Sequence, residues 1–207
     1  MDHRFVEVAA EHINSLLKSG ICLKNLVMRI AVSGTHGVGK STLIEELLRR
    51  HPEFEHEPEP YAVLVEDYGE EFSAEPCVED FLRQLEFNLE RLDQHVAGEN
   101  VVYERCPLDF VAYLNALDAN VSDALMQRIS DAMQQLEMIV YLPLDHASGD
   151  DEFPKLRKAV DRKLRELLDD SNVLVIEATG STAQRLRTVD QLISKTQPGE
   201  ASHRITS

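Results

Sequence analysis

Residues 34–41 read Gly34-Thr35-His36-Gly37-Val38-Gly39-Lys40-Ser41, a complete G-x-x-x-x-G-K-S phosphate-binding loop. An apolar strand, Leu26-Val27-Met28-Arg29-Ile30-Ala31-Val32, leads into it, and Leu43, Ile44, Leu47 and Leu48 follow at helical spacing. That context matches the physics of the loop. Glycines let the backbone wrap closely enough for successive N–H groups to face phosphate oxygens, and the helix N-terminus adds its positive dipole end. The expected contacts to ATP run from Gly34 through Thr35, His36, Gly37, Val38, Gly39, Lys40 and Ser41 to Thr42. Lys40 would reach the β- and γ-phosphates and the Ser41 hydroxyl would hold Mg²⁺. His36 fills a free position of the loop and is given no catalytic part.

Working outward, Phe5, Val6, Ala9, Ile13, Leu16 and Leu17 mark an amphipathic helix within an N-terminal extension, residues 1–25. Its expected role is packing on the domain or on a second subunit, the latter making a homodimer. A nucleotide-binding domain over residues 26–195 and a polar, disordered tail over 196–207 complete the layout. Beyond the loop, Pro52 stops the first helix, and residues 54–61 are bounded like a strand but poor in strand formers. Val78, Phe81, Leu82, Leu85, Leu89, Leu92 and Val96 predict a helix over 77–97 closed by Gly98. Val101-Val102-Tyr103, Met138 to Leu142 and Asn172 to Glu177 read as buried strands, separated by helices near 107–117, 122–135 and 154–169. A last helix runs from about Ser181 to Ile193. Strands alternating with helices predict an α/β three-layer sandwich around a parallel five-stranded sheet.

With 207 residues the chain suits one such domain. A net charge of −16 argues against a nucleic-acid partner, which needs a basic face, and against an anionic membrane surface. No apolar run long enough to span a bilayer is present, and Asp2, Glu7, Glu11 and His12 interrupt any signal-peptide core. Cys22, Cys77 and Cys106 lack C-x-x-C spacing, which fits reduced thiols and a cytoplasmic location. His56 and His146 are read as solvated, without metal-ligand spacing.

The metal needs a second acidic group at the end of a neighbouring strand. Glu104, where Val101-Val102-Tyr103 ends, fits, because ligands bind at the carboxyl ends of such strands. Arg105 follows directly and would stabilise charge on the transferring phosphoryl group. In the basic helix over 154–169, Leu156, Val160, Leu164, Leu167 and Leu168 form the apolar stripe. Arg157 borders it and is the candidate phosphate contact.

Glu104-Arg105-Cys106-Pro107-Leu108-Asp109-Phe110, with Val111 to Leu114, resembles the acid-Arg-Ser segment of the deoxynucleoside kinase and thymidylate kinase group. It is also similar to related AAA-type P-loop ATPases with nicotinamide riboside kinase domains. The resemblance covers Arg29 to Ile193 and implies strand order 2-3-1-4-5. It further implies that Glu59, in Pro58-Glu59-Pro60, takes the proton of an acceptor hydroxyl. Leu156 to Leu164 would be the lid helix that brings basic side chains to the phosphates. Thr179-Gly180-Ser181, with Gly180 and the following Arg185, would wall the adenine. The chain departs from the pattern at Cys106, where Ser or Tyr is usual, and across 145–151, which holds no arginine. The nucleobase-stacking aromatics are not assignable by position.

A carboxylate beside an acceptor hydroxyl is chemically suited to general-base work, and Glu57 is the alternative to Glu59. Two functions compete. One is a kinase moving the γ-phosphoryl of ATP to a small nucleoside- or nucleotide-like acceptor. The other is an ATP-binding regulatory or sensor ATPase with no such acceptor. An acceptor pocket between the second strand and helix 77–97 would separate them. A GTPase is disfavoured, because no N-K-x-D segment occurs.

Overall fold

A computed structural model describes residues 28–94, 98–144 and 153–196. The expected N-terminal helix, the tail from residue 197 and the segment 145–151 lie outside the described residues. Five parallel strands, β1 (Arg29–Ser33), β2 (Phe54–Glu57), β3 (Asn100–Glu104), β4 (Met138–Tyr141) and β5 (Leu174–Glu177), form one sheet in the order β2-β3-β1-β4-β5. This is the parallel sheet the sequence predicts, in the strand order the resemblance implies. The described helices are α1 (Lys40–Arg50), α2 (Pro60–Glu66), α3 (Val78–Gln94), α4 (Pro107–Ala116), α5 (Asp123–Met133), α6 (Pro154–Asp169) and α7 (Thr182–Thr196).

The central strands are covered on both faces, which explains their continuous apolar runs. Alternation sends Ala31, Tyr103, Ile139 and Tyr141 to one face, where they pack with Leu85 and Leu89 of α3, Phe110 and Leu114 of α4, Ile129 of α5 and Val160 and Leu164 of α6. Ile30, Val32, Val102 and Val140 face the other way, onto Leu43, Ile44 and Leu47 of α1 and Leu186 and Val189 of α7. Emptying one of these fully buried positions, as in Leu47→Ala, costs about 2–5 kcal/mol.

The segment 54–61 departs from the sequence reading. It is a strand only to Glu57, with Phe54 its one buried residue, and a helix follows at Pro60. Proline at the first helical position loses no needed hydrogen bond, and a short strand at the sheet edge needs only one apolar face, so composition hid both. Leu82, one of the apolar residues whose spacing predicts α3, is exposed.

In register, Val32 pairs with Glu104, Ser33 with Tyr141 and Glu57 with Tyr103. The carboxyl ends of β1, β2, β3 and β4 therefore share one rim, where the loops that matter emerge. Asp161 of α6 ties its helix to that rim by accepting from the Tyr141 hydroxyl at 2.8 Å and from the Leu144 N–H at 2.9 Å.

Candidate active site

The loop after β1 turns on three glycines with positive φ: Gly34 at +148°, Gly37 at +72° and Gly39 at +91°. At Gly34 an added Cβ would lie 2.5 Å from the Leu142 carbonyl oxygen, so only glycine allows the loop this close to the end of β4. Gly39 then caps α1, whose first residue is Lys40. The Lys40 side chain is buried and its Nζ donates to the Thr35 carbonyl at 3.2 Å. Burial, reinforced by the nearby Arg105, lowers its pKa to about 8, against the pull of Glu59, Asp109 and Glu104.

Ser41, one residue on, donates from Oγ to Glu104 Oε1 at 2.8 Å. Two candidate metal groups chosen from positions far apart in the chain are thus in direct contact. Thr42 is exposed on the first turn of α1. The glycine cradle, the lysine inside it and the hydroxyl–carboxylate pair fit a triphosphate and a divalent cation.

Arg105 joins this rim to a second space. It is buried and adopts φ +79°, rare for a residue with a side chain. Its Nε donates to Glu59 Oε1 at 2.5 Å, and its Nη1 to the Gly34 carbonyl at 3.1 Å and to Asp109 Oδ1 at 3.3 Å. Its guanidinium also lies 5.5 Å from the centre of the Tyr113 ring. Burial opposes the charge on Arg105, but the carboxylates of Glu59 and Asp109 outweigh it and hold its pKa above the ordinary value.

Glu59 is the residue that caps α2, two positions beyond β2. Burial pushes its carboxyl up, yet Arg105 and Lys40 prevail and hold it at about 2. Glu57, the alternative carboxylate, turns away: its Oε2 accepts from Arg91 of α3 at 3.0 Å. Arg91 also donates to the Pro58 carbonyl at 2.6 Å, so it fixes the turn that delivers Glu59.

Arg157 of α6 is buried, its Nε donating to Thr35 Oγ1 at 3.4 Å and its guanidinium lying against Gly37. Arg185 donates from Nη1 to the Val38 carbonyl at 2.6 Å. Gly180, at φ +84°, makes the turn into α7 next to Gln184, whose Oε1 accepts from the Ser181 N–H at 2.8 Å. Arginines of α6 and α7 therefore both reach the phosphate loop.

Beside Arg105 and Glu59 opens a cleft of about 650 Å³. Its walls include Tyr61, Phe72, Asp80, Phe81, Gln84 and Tyr113, with His36 and Arg157 at the loop end. Phe81 and Tyr113 stack with ring centres 4.4 Å apart, and Tyr61 and Phe72 meet at 5.2 Å. The Tyr113 hydroxyl accepts from the His36 N–H at 3.3 Å, tying the aromatic wall to the loop. The cleft lies between the β2–α2 turn and α3, where an acceptor pocket was to be sought. Sequence reasoning did not single out these aromatic residues, nor Arg91 or Asp109. Tyr113 and Asp109 do stand in the Glu104–Leu114 segment. The others carry no local signal.

A family profile described as "AAA domain" matches residues 29–185. The chain belongs to the AAA domain family. No curated protein matches it significantly in sequence. Among solved structures it is similar to a deoxyadenosine kinase from M. mycoides with dCMP and dCDP bound. That match has TM-score 0.55 and 16% identity over 81% of this chain and 99% of the kinase. It is also similar to thymidylate kinase from Ehrlichia chaffeensis, with TM-score 0.57 and 13% identity over 80% and 98% of the two chains. A NadR protein in complex with NR gives TM-score 0.61 and 15% identity over 96% of this chain and 61% of NadR. At these identities the likeness is one of fold: a P-loop α/β domain shared with nucleoside and nucleotide kinases.

Proposed function

We propose that this AAA-domain protein is a kinase that transfers the γ-phosphoryl group of ATP to a hydroxyl of a nucleoside-like acceptor. The observation that carries this reading is the Arg105–Glu59 ion pair at the seam between the phosphate loop and the aromatic cleft. A regulatory ATPase needs only the nucleotide half. The cleft supplies a second, ring-lined space with a carboxylate at its inner end.

In this reading the phosphate loop and Lys40 bind the triphosphate, and Arg157 and Arg185 brace the loop from outside. Ser41 and Glu104 would hold Mg²⁺, which when bound neutralises developing charge on the phosphate oxygens. The acceptor ring lies along Phe81 and Tyr113, with its hydroxyl directed at Glu59. Glu59 is ionised throughout the neutral range, so it can accept a hydrogen bond and then the proton. Its low basicity is no obstacle, because phosphoryl transfer passes through a loose transition state in which little proton transfer is needed early. Arg105, between Glu59 and the loop, stabilises the transferring charge.

The charge pattern of the cleft supports an unphosphorylated acceptor. Among the described lining residues the cationic groups, Arg105 and Arg157, lie at the loop end with His36, and Asp80 is the charged group at the far end. An acceptor monophosphate bound there would face a carboxylate instead of an arginine fork. The test is a panel of nucleosides and their monophosphates scored for acceptor-stimulated ADP release. At least one nucleoside should stimulate, and more strongly than its monophosphate. Basal hydrolysis untouched by any acceptor would sink the kinase reading.

A further inference from the structure

Asp109 is the most enclosed charged residue of the site, with no solvent exposure, and the reaction outlined above gives it no part. Its carboxylate accepts from four donors. Oδ2 takes the Ser33 hydroxyl at 2.7 Å and the Cys106 N–H at 2.9 Å. Oδ1 takes the Gly34 N–H at 3.0 Å and Arg105 Nη1 at 3.3 Å. These donors are the last residue of β1, the first residue of the phosphate loop, the residue after Arg105, and Arg105 itself.

The pattern closes on one residue. The Gly34 N–H is held by Asp109 and the Gly34 carbonyl by Arg105, while Asp109 and Arg105 hold each other. Arg105 sits in a left-handed conformation that costs of order 1–3 kcal/mol and persists only where the surroundings over-determine it. Asp109 contributes to that determination through two contacts, the Cys106 N–H that directly follows the strained residue and that residue's own guanidinium. Helix capping alone would need only the Cys106 contact. Cys106 completes the arrangement as a neutral group: burial raises its thiol pKa, and its Sγ lies 3.1 Å from Ser33 Oγ.

We infer that Asp109 is a positioning residue that locks Arg105 and the first residue of the phosphate loop into one rigid unit. Donor loop and acceptor-side arginine thereby keep a fixed separation. The inference rests on the kinase reading, because it acts through Arg105 in the transfer step. A charge in a fixed place is worth most when its partner does not move during the reaction.

The test is a double-mutant cycle on the full chain with Asp109→Asn and Arg105→Lys, using an acceptor that stimulates wild type. Lysine keeps a charge at 105 but cannot reach Gly34, Glu59 and Asp109 together. Asp109→Asn should lower kcat by about 10- to 100-fold, with smaller changes in either KM. In the Arg105→Lys background the same substitution should cost less than about threefold, because the group it positions is already displaced. Equal losses in both backgrounds would make Asp109 merely structural and overturn the inference, as would an unchanged kcat. Should Asp109→Asn fail to fold, Ser33→Ala removes one donor to the same carboxylate. It should lower kcat only when Arg105 is present. Absence of any acceptor-dependent turnover in wild type would overturn the kinase reading and this role with it. Additive losses in an active enzyme overturn this role alone.

Discussion

Along residues 33–41 the groups that face a nucleotide are neighbours in sequence, whereas the cleft beside them is walled from four helices and a loop. Glu59 and Tyr61 come from the start of α2, Phe72 from the loop after it, Phe81 from α3, Tyr113 from α4 and Arg157 from α6. The donor half is made of backbone, held by glycines whose positive φ angles no other residue adopts cheaply. The proposed acceptor half is made of side chains carried on separate elements. A phosphate is the same in every nucleotide, so the donor half can be fixed by geometry. An acceptor varies from enzyme to enzyme, and side chains on separate elements let the cleft vary with it. Arg105 touches both halves, through Gly34 and Glu59, as do Tyr113 through the His36 N–H and Arg157 through Thr35.

If the division is real, substitutions in the donor half remove all turnover, and those in the acceptor half remove transfer alone. The largest effect should come from Lys40→Ala, with kcat/KM falling roughly a thousandfold or more, since one buried donor to transition-state charge is worth about that much. The fold should survive, because the Lys40 ammonium is desolvated and its removal relieves a cost. Calorimetric ATP titration and a melting curve on the same sample measure both. Wild-type ATP affinity in the folded variant would break the donor half of the comparison.

That half was legible in the sequence because its information is local. Eight consecutive residues, a strand before and a helix after state the loop, and alternating apolar runs state the sheet. Glu104 was chosen by a rule of the same kind, the end of a buried strand next to the loop, and it lies 2.8 Å from Ser41. The acceptor half is not local. Nothing in the spacing of Phe81 and Tyr113 announces that their rings meet across α3 and α4. Arg91 looks like a solvated helix residue, although its buried guanidinium holds the turn before Glu59. Helix α2 was missed because Pro58-Glu59-Pro60 reads as a break in structure, while the second proline in fact starts a helix. Tertiary packing decided each of these, and one sequence does not display it.

A second substitution tests the acceptor half. Glu59→Gln should reduce acceptor-dependent transfer by roughly a hundredfold or more. Arg105 and Lys40 would lose a negative neighbour, so ATP should bind somewhat more tightly, the opposite sign from Lys40→Ala. Parallel measurement of ATP Kd and acceptor-stimulated ADP release separates the two. Equal losses in both would mean that Glu59 belongs to the donor half and that the division is drawn in the wrong place.

A smaller effect should mark the metal group. Glu104→Gln keeps the hydrogen bond to Ser41 but removes the charge, so the Mg²⁺ concentration for half-maximal turnover should rise by roughly ten- to a hundredfold. Turnover should recover in large part at high Mg²⁺, which Lys40→Ala cannot do. An unchanged Mg²⁺ dependence would remove Glu104 from the metal site.

The smallest effect sharpens the comparison most, because pH acts on the two halves at opposite ends of the scale. Glu59 is held at about 2, so it stays ionised from mildly acid to alkaline solution, and the acceptor half should show no titration of its base near neutrality. Lys40 is lowered to about 8, so the free donor site loses its charge just above neutral pH. ATP binds the ammonium form. Above pH 8 binding must therefore take up a proton, and ATP Kd should rise by up to about tenfold per pH unit. Proton uptake is measurable as the change in calorimetric enthalpy between buffers of different ionisation heat. The stability linkage of the same group runs the other way. Between about pH 8 and 10.5 the unfolded chain binds the Lys40 proton more tightly than the native one, so this residue makes the free protein more stable as pH rises through that window. Lys40→Ala should abolish the proton uptake at pH 8.5 and remove that contribution to the slope of stability. Glu59→Gln, lacking a negative neighbour of Lys40, should shift the onset of uptake to lower pH. An onset that does not move on Glu59→Gln would show that the two halves do not communicate through Lys40, and the seam would then rest on Arg105, Tyr113 and Arg157.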